Sequence, residues 1–165
     1  MNHLQQIERK LMPPDKLAEQ LKKWRDQGCK IVFTNGCFDL LHLGHVDYLA
    51  RAADFGDKMI IGLNTDTSVS RLKGPTRPIN NQHSRAMVLA ALGFVSAICM
   101  FEEATPYSLI QLVQPDVLIK GADYKPEDIV GYDIVMARGG HVHTIPFVDG
   151  YSTTSIEQRI RQSNS

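Results

Sequence analysis

An α/β fold on a doubly wound parallel sheet is what this sequence predicts, from three observations. Short, nearly continuous apolar runs recur along the chain, a segment of helical character follows almost every run, and a polar or glycine-bearing cluster sits where most runs end. Continuous apolar strands are buried on both faces, and strands alternating with helices imply parallel pairing through crossovers. Five β–α units follow one leading helix, with no internal repeat. The expected architecture is a Rossmann-like, five-stranded parallel sheet with an N-terminal helix.

The bulk properties narrow the alternatives. The 165 residues are expected to form one domain spanning the chain, with residues 1–28 as a helical extension. Eighteen basic and eighteen acidic residues cancel, and there is no Lys/Arg run, so no nucleic-acid partner is expected. No apolar stretch approaches membrane-spanning length, and Met1–Gln6 lacks the basic and apolar regions of a signal peptide. Three scattered cysteines suit neither a disulfide framework nor a zinc site. A soluble, cytoplasmic chain with no membrane partner is expected.

In chain order, the leading helix is expected over Asp15–Asp26. Leu17, Leu21 and Trp24 fall on one stripe, Asp15 would cap the start, and Gly28 would stop the end. Its apolar stripe would pack on the sheet or, through Trp24, contribute to a homodimer contact. Lys30–Phe33 then reads as a strand and Val46–Ala53 as helix. Between them lies Thr34-Asn35-Gly36-Cys37-Phe38-Asp39-Leu40-Leu41-His42-Leu43-Gly44-His45. A strand entering a glycine turn and a helix start is an anion site, because free N–H groups and the helix dipole converge there. His42 and His45, three residues apart, can point at one place. Imidazoles at such a site suggest phosphate chemistry as well as phosphate binding.

Lys58–Asn64 is the next strand, delivering Asn64-Thr65-Asp66 to the edge where ligands sit in open α/β sheets. Leu72–Asn81 is rich in Gly and Pro and reads as a loop that carries Lys73 and Arg77 as a phosphate clamp. Ser84–Gly93 reads as a helix ending at Gly93, with Arg85 in its first turn, where the dipole disfavours a cation unless an anion lies near. Ala97–Phe101 is a strand, and Thr105-Pro106 opens the helix Tyr107–Val113. Glu102 and Glu103 suit a solvated acidic helix start better than a catalytic pair. Val117–Ile119 is a strand delivering Lys120-Gly121-Ala122-Asp123-Tyr124 to the same edge, and a helix is expected from Pro126 to about Ala137. His141 and His143 share a strand face as surface residues, there being no third ligand nearby for a metal. Finally, Thr154 with Glu157 forms a capping-box pattern for the last helix, behind the hydroxyl run Ser152-Thr153-Thr154-Ser155. Spare hydroxyls and N–H groups at a helix start suit a triphosphate.

The His42-Leu43-Gly44-His45 motif, the Lys120–Tyr124 segment and the Ser152–Ser155 turn together resemble the HxGH nucleotidylyltransferase superfamily. Within it, Thr34–Asp39, Asn64–Asp66, Lys73–Ile79 and Lys120–Tyr124 resemble the D-glycero-β-D-manno-heptose 1-phosphate adenylyltransferases, in the stand-alone form without a sugar-kinase half. The resemblance runs from about Lys30 to Arg161. It implies transfer of AMP from ATP, with Mg²⁺ riding on the triphosphate, to a sugar 1-phosphate, releasing pyrophosphate. It casts His42, His45, Lys73 and Arg77 as catalytic. Thr34, Asn35, Gly36, Cys37, Phe38, Gly44, His45, Lys120, Gly121, Asp123, Thr153, Thr154 and Ser155 would bind the nucleotide; Asp39, Asn64, Asp66 and Arg85 would serve the sugar phosphate. Two alternatives stand beside this reading: a cytidylyltransferase for glycerol 3-phosphate or another small acceptor, and a non-catalytic nucleotide-sensing module. Phe147-Val148-Asp149-Gly150 lacks the arginine of the Arg-Thr-Glu-Gly that precedes the hydroxyl turn in the glycerol 3-phosphate enzymes, which counts against the first.

Overall fold

The computed structural model of the chain describes residues 1–121 and 124–163. Helices α1 (His3–Glu8) and α2 (Pro14–Asp26) lead into β1 (Ile31–Gly36), α3 (Leu43–Ala53), β2 (Lys58–Asn64), α4 (Asp66–Lys73) and α5 (Gln82–Ala90). Then come β3 (Val95–Phe101), α6 (Tyr107–Val113), β4 (Val117–Gly121), α7 (Tyr132–Ala137), β5 (His141–Ile145) and α8 (Thr153–Ser163). The sheet has the order β3-β2-β1-β4-β5, and every pairing is parallel. This is the expected doubly wound, Rossmann-like sheet. The order reverses at β1, and the chain leaving β1 opens a crevice at its carboxyl end.

Two apolar layers sandwich the sheet. One gathers Val32, Leu49, Ile61, Leu89 and Ile119; the other gathers Leu17, Leu21, Trp24, Phe33, Ile60 and Ile110. Trp24 is therefore buried in the chain's own core. The segment before α2 covers one sheet edge: Met12 N donates to Ile98 O (2.9 Å) and Ile98 N to Lys10 O (2.7 Å). This isolated bridge blunts the β3 edge at Ile98.

Several local expectations change. There are two leading helices, and α2 starts at Pro14 with Asp15 inside its first turn, not at the cap. Helix α4 occupies part of the stretch expected to be loop, because the Thr65 side chain accepts from Ser68 N and starts a helix. Helix α5 is capped by Asn81 and ends at Ala90, with Ala91 and not Gly93 as its C-cap. The expected Pro126–Ala137 helix is broken: a 3₁₀ turn over Pro126–Asp128 is separated from α7 by Gly131 at φ +90°, a conformation that ends regular helix.

Candidate active site

The crevice is built around the turn after β1. Phe38 takes φ +45°, a left-handed conformation costing a non-glycine residue about 1–3 kcal/mol, of the kind that collects at functional sites. It turns the chain so that Phe38 lies edge-on to the His45 ring, 5.3 Å between centroids. His42 is the N-cap of α3 and His45 lies in its first turn. Their rings stack 3.8 Å apart at 23°, so the two imidazoles do converge. A Cβ at Gly44 would come within 3.1 Å of the His42 ring and 3.3 Å of Tyr151, so glycine leaves this stack its room.

Burial, followed by the neighbouring His42, pushes His45 down to about 4, against the Leu40 carbonyl, which raises it. Burial also lowers His42. Both Nδ1 atoms are buried without a protein partner. Because the folded-state value for His45 lies below the ordinary 6.5, the unfolded chain holds the extra proton between those values. The stability that His45 contributes is thus present above pH 6.5 and lost as pH falls towards 4. The thermal midpoint is expected to drop between pH 7 and 5, and to drop less in His45→Gln. Identical pH dependence in the two proteins would refute this account.

Two cavities flank the turn. One, of about 540 Å³, is lined by Phe38, Asp39, His45, Tyr48, Gly121, Phe147 and Thr153 among others. The other, of about 480 Å³, is walled by Asn64, Leu72, Phe101, Thr105, Pro106, Asp128 and Ile129 among others. Asn35, Gly36, Cys37, Lys73, Lys120 and Tyr124 line both, so they are lobes of one cleft. Thr153 opens α8 and Thr105 precedes α6. Each lobe therefore meets a helix start, where N–H groups are free for an anion.

The expected site residues divide into those facing the cleft and those supporting it. Lys73 is exposed and makes no hydrogen bond or ion pair among the described residues. Arg77 is placed differently from the expected phosphate clamp. Its Nε lies 2.8 Å from Asp39 Oδ2, its Nη1 pairs with Glu157 of α8, and it lines neither lobe. Asp39 reaches the edge of the first lobe, but its carboxylate is committed: it also accepts from Ile79 N and Asn80 N at 2.9 Å. Arg85 lines neither lobe. Its guanidinium is fully buried and bonded to protein, donating to Asn80 O (2.9 Å), Cys37 O (2.7 Å), Asn64 O (2.8 Å) and Asp66 Oδ1 (2.8 Å). No donor faces the cleft for a sugar phosphate, and Asp66 is turned to Arg85. Thr34 Oγ1 is likewise committed, sharing a 2.8 Å hydrogen bond with Tyr48 OH.

The remaining hydroxyls are partly used. Ser152 and Ser155 cap each other, Ser155 N donating to Ser152 Oγ (3.1 Å) and Ser152 N to Ser155 Oγ (3.2 Å). The capping pair is thus not Thr154–Glu157, because Glu157 is drawn to Arg77. Of the hydroxyl run, Thr153 alone lines a lobe. Asp123 lies outside the described residues. Tyr48, Phe147 and the wall made by Phe101, Pro106 and Ile129 were not foreseen. Tyr48 lies three residues past His45, so helical spacing could have found it; the others arrive from distant elements.

The cytidylyltransferase-like family model matches residues 33–159, from mid-β1 into α8. The chain belongs to the cytidylyltransferase-like family. It is a nucleotidyltransferase by that membership, and the HxGH stack and two-lobed cleft lie within the matched region. It is 54% identical over 142 residues to the bifunctional protein HldE of Magnetococcus marinus, covering 86% of this chain and 29% of that one. The HldE protein of Hyphomonas neptunium is 51% identical over 149 residues, 90% and 31% of the two chains. The chain therefore spans about a third of the length of these relatives. Among solved structures, a lipopolysaccharide core biosynthesis protein from Thermoplasma volcanium superposes with TM-score 0.59 at 26% identity, covering 76% of this chain and all of that one. Pantoate-beta-alanine ligase from Francisella tularensis, in complex with an ATP analogue and beta-alanine, gives 0.59 at 15% identity, with 94% and 78% covered, a likeness of fold alone.

Proposed function

We propose that this nucleotidyltransferase moves AMP from ATP to heptose 1-phosphate, giving ADP-heptose and pyrophosphate for lipopolysaccharide or related surface-glycan synthesis. The observation that carries a two-substrate transfer is the cleft itself: two lobes of similar size meet at the turn after β1. The lobe with His45, Tyr48 and Thr153 would take the nucleotide, and the lobe with Asn64 and Thr105 the acceptor. The heptose acceptor rests on the motif resemblance, on half identity to HldE over most of the chain, and on the likeness to the lipopolysaccharide core biosynthesis protein.

In this reading a phosphate oxygen of the acceptor attacks the α-phosphorus in line. The new O–P bond forms as the bond to the β-phosphate oxygen breaks, and pyrophosphate leaves with the electron pair. No protein nucleophile is needed, so catalysis is positioning plus neutralisation of developing charge. His42 and His45 donate to the phosphates, the N–H groups after β1 hold the α-phosphate, and Thr153 with Lys73 faces the β- and γ-phosphates. Arg77 serves by tying the 74–80 loop to Asp39 and to α8. The ridge of the cleft carries two lysines, an amide, a thiol and a phenol but no carboxylate, and the nearby Asp39 carboxylate is already paired, so the ridge does not suit a resident Mg²⁺. The ion belongs to the ATP complex.

The test is pyrophosphate release with ATP and Mg²⁺ against heptose 1-phosphate, glycerol 3-phosphate and other sugar phosphates, with CTP in parallel. Release with ATP and heptose 1-phosphate is expected. Preference for CTP and glycerol 3-phosphate would establish the cytidylyltransferase reading, and ATP binding without release under any acceptor the sensing module.

A further inference from the structure

The ridge between the lobes carries two cations, Lys73 and Lys120. With nucleotide in one lobe and acceptor in the other, the attacking oxygen must reach the α-phosphorus across this ridge. Both reacting groups are anions, and two charges a few ångströms apart repel strongly once water is displaced. A cation on the ridge is the kind of group that offsets both at once.

The two lysines are not equivalent. Lys73 is exposed at the end of α4, where water can solvate it and the side chain is free to move. Lys120 comes from β4, next to the central strand, and is half-buried. Its Nζ donates to the neutral amide oxygen of Asn35 at 3.2 Å, and it has no carboxylate in ion-pair range among the described residues. A partly desolvated ammonium without a counter-ion is costly unless an anion arrives to pair with it. Burial lowers its pKa in consequence. Of the carboxylates near the turn, Asp39 is paired with Arg77 and Asp66 with Arg85, and Asp128, which lines the second lobe, is not within ion-pair range of Lys120.

We propose that Lys120 is a catalytic residue on the acceptor side, its ammonium holding the acceptor phosphate against the α-phosphate at the junction of the lobes. This rests on the nucleotidyltransfer reading and gives Lys120, which lines both lobes, an acceptor-side role in place of the nucleotide-binding role that the motif resemblance implies. Lys120 stays protonated throughout; it shields the oxygen that forms the new bond while the electron pair departs with pyrophosphate.

The test uses the full chain as wild type, Lys120→Met and Lys120→Arg. Calorimetry gives the Kd for ATP with Mg²⁺, and pyrophosphate release gives kcat and KM for heptose 1-phosphate. Lys120→Met is expected to keep ATP affinity within about threefold and to lose kcat/KM for the acceptor by ~100-fold or more, as for loss of one preorganised charge. Lys120→Arg should recover most of that loss, and serves where the methionine variant fails to fold. The alkaline limb of kcat/KM, which reports the free enzyme, should lie below 10.5 in the wild type and move out of range in Lys120→Arg, because a guanidinium does not titrate there. An ATP Kd that weakens in step with the acceptor KM, or a limb unmoved in Lys120→Arg, overturns the assignment. Wild type that binds ATP but releases no pyrophosphate overturns the reaction itself; wild type that turns over while Lys120→Met is unimpaired overturns only the role of Lys120.

Discussion

Replacing His45 by alanine is expected to lower kcat by about 100-fold to 1,000-fold, with a smaller change in the KM for ATP. That range is the loss seen when one preorganised donor to a developing oxyanion is removed. The preorganisation is visible in the packing: the ring is stacked on His42 at 3.8 Å and met edge-on by Phe38, and its Nδ1 is buried without a partner. Such a ring needs no reorganisation when charge builds on the phosphate. Burial also keeps it neutral in the free protein, with a pKa of about 4. A neutral imidazole still donates from one nitrogen, and an arriving triphosphate favours the protonated form. The effect should therefore fall on the step in which charge develops, more than on ground-state binding. Pyrophosphate release at saturating ATP measures it, and turnover within a few-fold of wild type would remove His45 from the chemistry.

What the sequence reveals of this fold follows the range of the interactions involved. Lys58–Asn64 and Tyr107–Val113 form the expected strand and helix because burial on the sheet agrees with their local pattern. Helix α4 is hidden in the sequence because Gly74, Pro75 and Pro78 signal a loop more strongly than Thr65 signals the cap it gives Ser68 N. The Thr154–Glu157 box fails for the opposite reason. The pattern is present, but a cation 80 residues away in the chain takes the carboxylate. The histidine stack was readable because two rings on one helix start need only helical geometry to meet. The commitments of Asp39, Arg77 and Arg85 were not readable, since their partners are brought in by the tertiary fold: a guanidinium and backbone N–H groups for Asp39, carboxylates and backbone carbonyls for the arginines.

Arg85 shows the consequence most sharply. As a substrate ligand it would be dispensable to folding; as the structure places it, it holds the floor of both lobes. One nitrogen, Nη1, bonds the carbonyls of Cys37 and Asn64, the chain just past β1 and the last residue of β2, while Nε and Nη2 bind Asn80 and Asp66. Removing the guanidinium leaves three carbonyls short of a donor in a site where water has little access. Breaking a buried charged network of this kind costs about 3–5 kcal/mol. Arg85→Leu is expected to lose that much in urea unfolding, as a lower midpoint with an unchanged slope. Arg85→Lys keeps the charge but not the planar fork that spans two strand ends, so it should recover only part of the loss. The same pair of variants discriminates the roles. A substrate ligand would leave both midpoints at the wild-type value and raise the acceptor KM. A brace would lower both midpoints, with activity falling because the turn after β1 and the end of β2 no longer hold the two lobes in register.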